Sequence, residues 1–139
     1  MMETECPGES MNDILVAVSP GELLDKITIL EIKSERMSDP GQLANVRAEL
    51  ALLSETWAQC VEMDDRLRRL HAQLKEVNEA LWSIEDDIRD KEHKKEFDEQ
   101  FIELARGVYV TNDRRSRIKK ALNLHLGSKI VEEKFYPDY

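Results

Sequence analysis

The stretch Leu67–Ile88, LRRLHAQLKEVNEALWSIEDDI, carries Leu67, Leu70, Leu74, Val77, Leu81, Ile84 and Ile88 at strictly alternating spacings of three and four. That rhythm lines one side of an α-helix with apolar groups and leaves the other sides polar. The helix is predicted to continue to about Glu92, a span of ~40 Å at 1.5 Å per residue. Immediately upstream, Leu43, Val46, Leu50, Leu53, Trp57 and Cys60 repeat the pattern, with a turn expected near Met63-Asp64-Asp65. Two heptad-patterned helices joined by a few residues predict an antiparallel coiled-coil hairpin, with Cys60 in its core.

Further out, Ser19-Pro20-Gly21-Glu22 combines an N-cap serine, a proline at the first helical position and an acid at N3. These residues predict a first helix over Pro20–Met37. Leu23, Ile27, Leu30 and Met37 form one apolar seam on it, and Ile29 and Ile32 face the other way. Apolar groups on two sides predict a helix sandwiched between neighbours. Asp39-Pro40-Gly41-Gln42 opens the second helix. On the C-terminal side, Phe97, Phe101, Leu104 and Val108 mark a fourth helix. Thr111-Asn112-Asp113 is cap chemistry, so a fifth helix is expected to carry Ile118, Leu122 and His125 and to stop at Gly127. Ile14–Val18 is short and β-branched, and a two-stranded ribbon pairing 14–18 with 129–135 is expected beside the helices. The fold class is therefore mainly α: about five helices built around a coiled-coil hairpin. Residues 1–11 are read as a disordered acidic leader and 12–139 as one helical domain.

Composition agrees. The chain has 139 residues, 41% hydrophobic, 35% charged and only 6% aromatic, with 5 Gly and 4 Pro. Such a mixture suits long solvated helices and excludes a β-sandwich or a collagen-like repeat. Net charge is −9, from 29 acids against 20 bases. An acidic chain is a poor generic partner for nucleic acid or an anionic membrane. The longest apolar run, Ile14–Val18, is far too short to span a bilayer. The leader carries acids and no base, the wrong sign for a secretory signal. Cys6 and Cys60 offer neither a disulfide framework nor zinc spacing, and a reducing cytoplasm is the expected location.

Three constellations could carry chemistry. On the first helix, Glu22, Asp25, Lys26, Glu31 and Lys33 form a charged constellation in which Glu22 and Asp25 share a face, an arrangement that could hold a divalent cation or pair with neighbouring charges. Glu31 projects toward apolar surface and must find a partner there. On the third helix, Asn78, Trp82, Glu85, Arg89 and Glu92 form a stripe flanking the apolar seam, either a pocket wall or a solvated ion ladder. The basic patch Arg114, Arg115, Arg117, Lys119 and Lys120 could meet phosphate, RNA or an acidic partner, or equally pair with acids of the third helix. His71, His93 and His125 lack metal-ligand spacing, and no nucleotide-binding loop or nucleophile elbow is present.

Ser19-Pro-Gly-Glu-Leu-Leu-Asp-Lys-Ile-Thr-Ile-Leu-Glu-Ile-Lys33 resembles the opening of an uncharacterised family of short, mostly helical bacterial and phage proteins. The likeness runs on through Leu43-Ala-Asn-Val46, Leu81–Asp86, Phe101–Arg106, Tyr109, Asn112-Asp113-Arg114 and Val131–Lys134. That resemblance brings no assigned activity and no site residues. It implies an association with surface-polysaccharide metabolism only. The first expectation is a non-enzymatic cytoplasmic binding or adaptor protein that works by protein contact or self-association. The second is a binder or hydrolase of a phosphorylated nucleotide or nucleotide sugar. It would use Mg²⁺ on the acids and draw its ligand contacts from Glu22, Asp25, Lys26, Trp82, Glu85, Arg89 and Arg106.

Overall fold

The computed structural model describes residues 12–135 and 137. Among these residues there are four helices, α1 (Pro20–Arg36), α2 (Pro40–Cys60), α3 (Asp65–Lys94) and α4 (Glu99–His125), and no strand. Each begins where its cap chemistry stands. Ser19, Asp39, Asp64 and Asp98 each accept a hydrogen bond from a backbone N–H three residues on, which satisfies a donor with no intrahelical partner. α3 ends on Lys95 in the left-handed region at φ 58°. There the Lys95 and Glu96 N–H groups donate to the carbonyls of Glu92 and Lys91, closing the helix and turning the chain into α4.

α1 is central: it packs against α2, α3 and α4, as its two-sided apolar pattern predicts. Leu24 and Ile27 of α1 share a core with Trp57 of α2, Leu67, Leu70 and Leu74 of α3, and Leu122 of α4. The Trp57 indole N–H donates to the Met63 sulfur at 3.4 Å. Gly21 allows the closest approach. A Cβ there would lie 2.7 Å from the Lys119 carbonyl oxygen and 2.9 Å from Asn123 Oδ1, so only a glycine lets the start of α1 touch α4. Its N–H donates to Asn123 Oδ1 at 2.6 Å.

Four expectations are corrected. The long hairpin is formed by α3 and α4, not by α2 and α3, because α2 packs on α1 alone among the helices. A heptad stripe marks a face to be buried but does not name its partner, and α1 offers α2 the second apolar side it needs. Cys60, expected in that core, is exposed. Thr111-Asn112-Asp113 does not break the chain: α4 runs through it as one helix, with Thr111 and Asp113 buried. Tertiary partners, among them Lys134 at 2.8 Å from Asp113, outweigh the local tendency of these residues to cap. Finally, the ribbon is absent. Ile14–Val18 is exposed, and the segment after Gly127 instead folds back along α4. It is fixed there by Glu132 to Lys119, Glu133 to Lys120 and Lys134 to Asp113. The leader at 1–11 lies outside the described residues. No described helix is long and apolar enough to cross a membrane.

Candidate functional site

Where α1 crosses α3 and α4, the core turns polar. Asp25, Thr28 and Asn78 are all buried, Asp25 at 1% exposure and Thr28 at 0%. An ionised carboxylate at that depth is tolerable only if fully paired. Asp25 is. Arg115 approaches it side-on, Nε to Oδ1 at 2.8 Å with Nη2 on Oδ2. The Asn78 amide donates to Asp25 Oδ1 at 3.0 Å and to the Thr28 hydroxyl at 2.9 Å, and that hydroxyl donates to the Asp25 backbone carbonyl. Arg115 Nη1 makes a longer contact, 3.4 Å, with Asn112. The bond from Asp25 raises the Arg115 guanidinium above its ordinary value and outweighs burial. Three helices therefore meet in one charge-assisted knot, and bidentate geometry makes it the strong kind.

A second group of ion pairs adjoins it. Lys119 bonds Glu22 at 2.7 Å and Glu132 at 3.0 Å, and Glu132 also accepts from the Ser19 hydroxyl at 2.7 Å. Burial pulls Lys119 down, but its two carboxylate bonds outweigh that and hold the ammonium above its usual range. The Ser19 bond, helped by Lys119, holds Glu132 below the usual carboxylate range. Asn123 is wholly buried, and its amide nitrogen has no hydrogen-bond partner among the described residues.

The knot borders a cleft of about 220 Å³ between α1 and α3. Ile29, Ile32 and Leu81 supply its apolar surface, while Asn78, Arg115 and Lys33 bring polar groups to it. Trp82 and Glu85 complete the wall. The Arg36 guanidinium lies over the Trp82 ring at 5.9 Å from its centroid, so the tryptophan is held by a cation from α1. Lys33 has no carboxylate partner among the described residues.

The residues singled out from sequence separate into groups. Glu22 and Asp25 do belong to one site, but each faces a cation from α4 rather than forming an open carboxylate pair. Among the described residues, no group of three or more His, Cys, Asp or Glu side chains is placed to hold a metal ion. Trp82 and Glu85 line the cleft. Lys26 is exposed on α1. Arg89 and Arg106 stand in solvent, paired with Glu85 at 3.9 Å and Glu103 at 3.1 Å. The basic patch divides as well: Arg115 and Lys119 enter the network, Lys120 holds Glu133, and Arg114 and Arg117 point outward. Sequence reasoning missed Thr28, Glu132 and Asn123. Thr28 falls three residues after Asp25, and helical spacing alone could have drawn it in. Lys33, singled out with the first-helix charges, lines the cleft. Glu31, expected to need a partner, finds His71 at 2.9 Å.

Fold and site together define a small α-helical protein whose three packed helices enclose a paired Asp–Arg knot beside a cationic cleft. The chain belongs to DUF6165, a family of unknown function, matched over residues 14–138. Searches of curated proteins and of solved structures return no match.

Proposed function

We propose that this protein is a binding module that takes a compact anionic ligand in the cleft between α1 and α3, with a phosphorylated or acidic sugar as the ligand class. The observation that carries this reading is Arg115. Asp25 fixes the guanidinium at the buried end, yet Arg115 still lines the cleft. A cation anchored in this way is pre-organised for a phosphate or carboxylate, with little ordering left to do on binding. Lys33 adds a second cation without a carboxylate partner among the described residues. Trp82 supplies an aromatic wall and Asn78 an amide, a combination suited to a sugar ring that carries charge. The volume is below the ~300 Å³ at which pockets for larger molecules begin, which favours a monosaccharide-sized group over a dinucleotide. A sugar ligand accords with the surface-polysaccharide association that the resemblance implies. Binding is favoured over catalysis because Glu22, Asp25 and Glu132 are each engaged by a cation, and Glu85, on the exposed wall of the cleft, is paired with Arg89.

Thermal unfolding tests this against inorganic phosphate, a hexose 1-phosphate, a uronic acid, a nucleotide sugar and a neutral hexose, each with and without Mg²⁺. A ligand at a hundred times its dissociation constant stabilises by about 2.7 kcal/mol. The charged sugars are expected to raise the melting temperature, with the neutral hexose inert. The rise should vanish in Lys33→Ala and weaken in Trp82→Ala. A panel in which no anion shifts the melt would refute the reading.

A further inference from the structure

The side of the α3–α4 hairpin turned away from α1 has no helix over it. On α3 the residues at helical spacing along this side are Arg66, Arg69, Gln73, Glu76, Ala80, Ser83, Asp87 and Asp90, and on α4 they are Arg117, Arg114, Val110, Gly107 and Glu103. The charges along it are largely segregated, with Glu76 among the bases and Lys91 among the acids as the exceptions. Arg66, Arg69, Arg114 and Arg117 line two adjoining grooves at the end near the α2–α3 turn. Asp87, Asp90, Glu99 and Glu103 line a third hollow, of about 480 Å³, at the opposite end. Between the two ends lie small or apolar residues: Ala80, Ser83, Gly107 and Val110, the last 49% exposed. Arg66, Arg69 and Arg114 have no carboxylate partner among the described residues. The far half of the hairpin is equally uncovered, since burial ends at Leu81 on α3 and resumes only at Thr111 on α4.

We propose that this face binds a second copy of the chain, head to tail about a two-fold axis passing near Ala80 and Val110. The symmetry follows from the pattern. A two-fold lying in the face and perpendicular to the helices lays α3 on α3 and α4 on α4, antiparallel. The arginine end of each copy then meets the acidic end of the other, twice over, and the small residues sit at the centre where the backbones come closest. Residues 66–90 span ~37 Å, and two helices side by side are ~20 Å wide. The face therefore covers roughly 700 Å² per copy, near the ~800 Å² per partner of a standard interface. The acidic end also holds cations: Asp90 pairs with Lys94 at 3.0 Å and Glu103 with Arg106 at 3.1 Å. Both pairs are exposed, and such pairs exchange partners at little cost. This surface lies on the opposite side of α3 and α4 from the cleft, so the inference goes beyond the ligand reading and does not depend on it. It gives the protein contact expected of the long helices a definite partner.

Light scattering on the full chain tests it, with two charge-reversal variants, R69E/R114E and D87R/E103R. All four positions are exposed, so folding is expected to persist and circular dichroism checks it. The wild type is expected at twice the 16.1 kDa chain mass, dissociating as salt rises because the contacts are charged. Each variant alone places like charges opposite each other at both ends and is expected to be monomeric. Mixed one to one, the two reversed positions of each variant face opposite charges on the other at both ends, and a heterodimer is expected. A wild type that stays monomeric in low salt, variants that dimerise as well as the wild type, or a mixture that fails to associate would each overturn the proposal.

Discussion

Asp25 is the residue on which the interior turns. It receives Arg115 from α4 and Asn78 from α3 while sitting on α1, so one carboxylate ties three helices. Removing it leaves the Asn78 amide with the Thr28 hydroxyl alone and the Arg115 guanidinium with only its longer Asn112 contact, at a site buried on the Asp25 side. Breaking a buried pair in this way costs about 3–5 kcal/mol, a large share of the stability of a small domain. Asp25→Ala is accordingly expected to lower the urea midpoint steeply, whereas Asp86→Ala, on the exposed side of α3, should barely move it. The sequence made Asp25 a candidate because it shares a helical face with Glu22. It could not reveal that the partners lie 53 and 90 residues away, since nothing in local spacing encodes which helix lies across from a given face. The carboxylate pair read from Glu22 and Asp25 thus becomes two separate ion pairs.

Elements were the most legible level. Every helix starts at a side chain that accepts from the exposed N–H groups; Ser19 and Asp39 were legible as caps without tertiary knowledge, while Asp64 read only as a turn and Asp98 went unread. Ends and interruptions were harder. Thr111-Asn112-Asp113 carries strong cap chemistry, yet its side chains are drawn into the packed interior and to Lys134, so α4 continues through them. The α3–α4 turn shows a related tension: its left-handed position is filled by Lys95 rather than glycine. A side chain there costs roughly 1–2 kcal/mol, part of which returns through the greater freedom glycine has in the unfolded chain. Lys95→Gly is expected to stabilise by about 0.5–1 kcal/mol, seen as a raised melting temperature with the m-value unchanged. A loss of stability would mean that the exposed Lys95–Glu92 pair, at 3.2 Å, contributes more than its exposure suggests.

At the scale of the whole molecule, α1 works as a central rod, α2 covers one of its sides, and the α3–α4 hairpin covers another and extends beyond it. The two-sided apolar pattern of α1 foretold its central place. The choice of partners for α2 and α3 could not be foretold, because both carry equivalent stripes. The ion pairs that bind the periphery to this rod make acid the natural denaturant. Glu31 is lowered below its ordinary 4.5, chiefly by the hydrogen bond from His71, with Lys75 assisting. Glu132 is lowered by Ser19 and Lys119. A carboxylate whose folded value lies below its unfolded one stabilises fully above the unfolded value and ceases to do so as pH falls through the folded one. Stability is therefore expected to decline on the acid side of 4.5. The decline should be shallower in the Glu31→Gln and Glu132→Gln variants, as followed by urea unfolding across that range. An acid limb identical in all three proteins would remove these pairs from the account.

The central claim is that a buried Asp25–Arg115 pair presents a fixed cation to a cleft floored by α1 and α3. Nitrogen–proton correlation spectra of Arg115 during titration with a hexose 1-phosphate test it most directly. The account predicts a single Arg115 Nε–H resonance, protected from exchange before any ligand is added. That resonance should move on titration together with the Trp82 indole and the Lys33 amide, while the resonances of Arg66 and Arg114 stay in place. A rapidly exchanging Arg115 Nε–H, or shifts gathered on the outer arginines with the cleft unmoved, would contradict it.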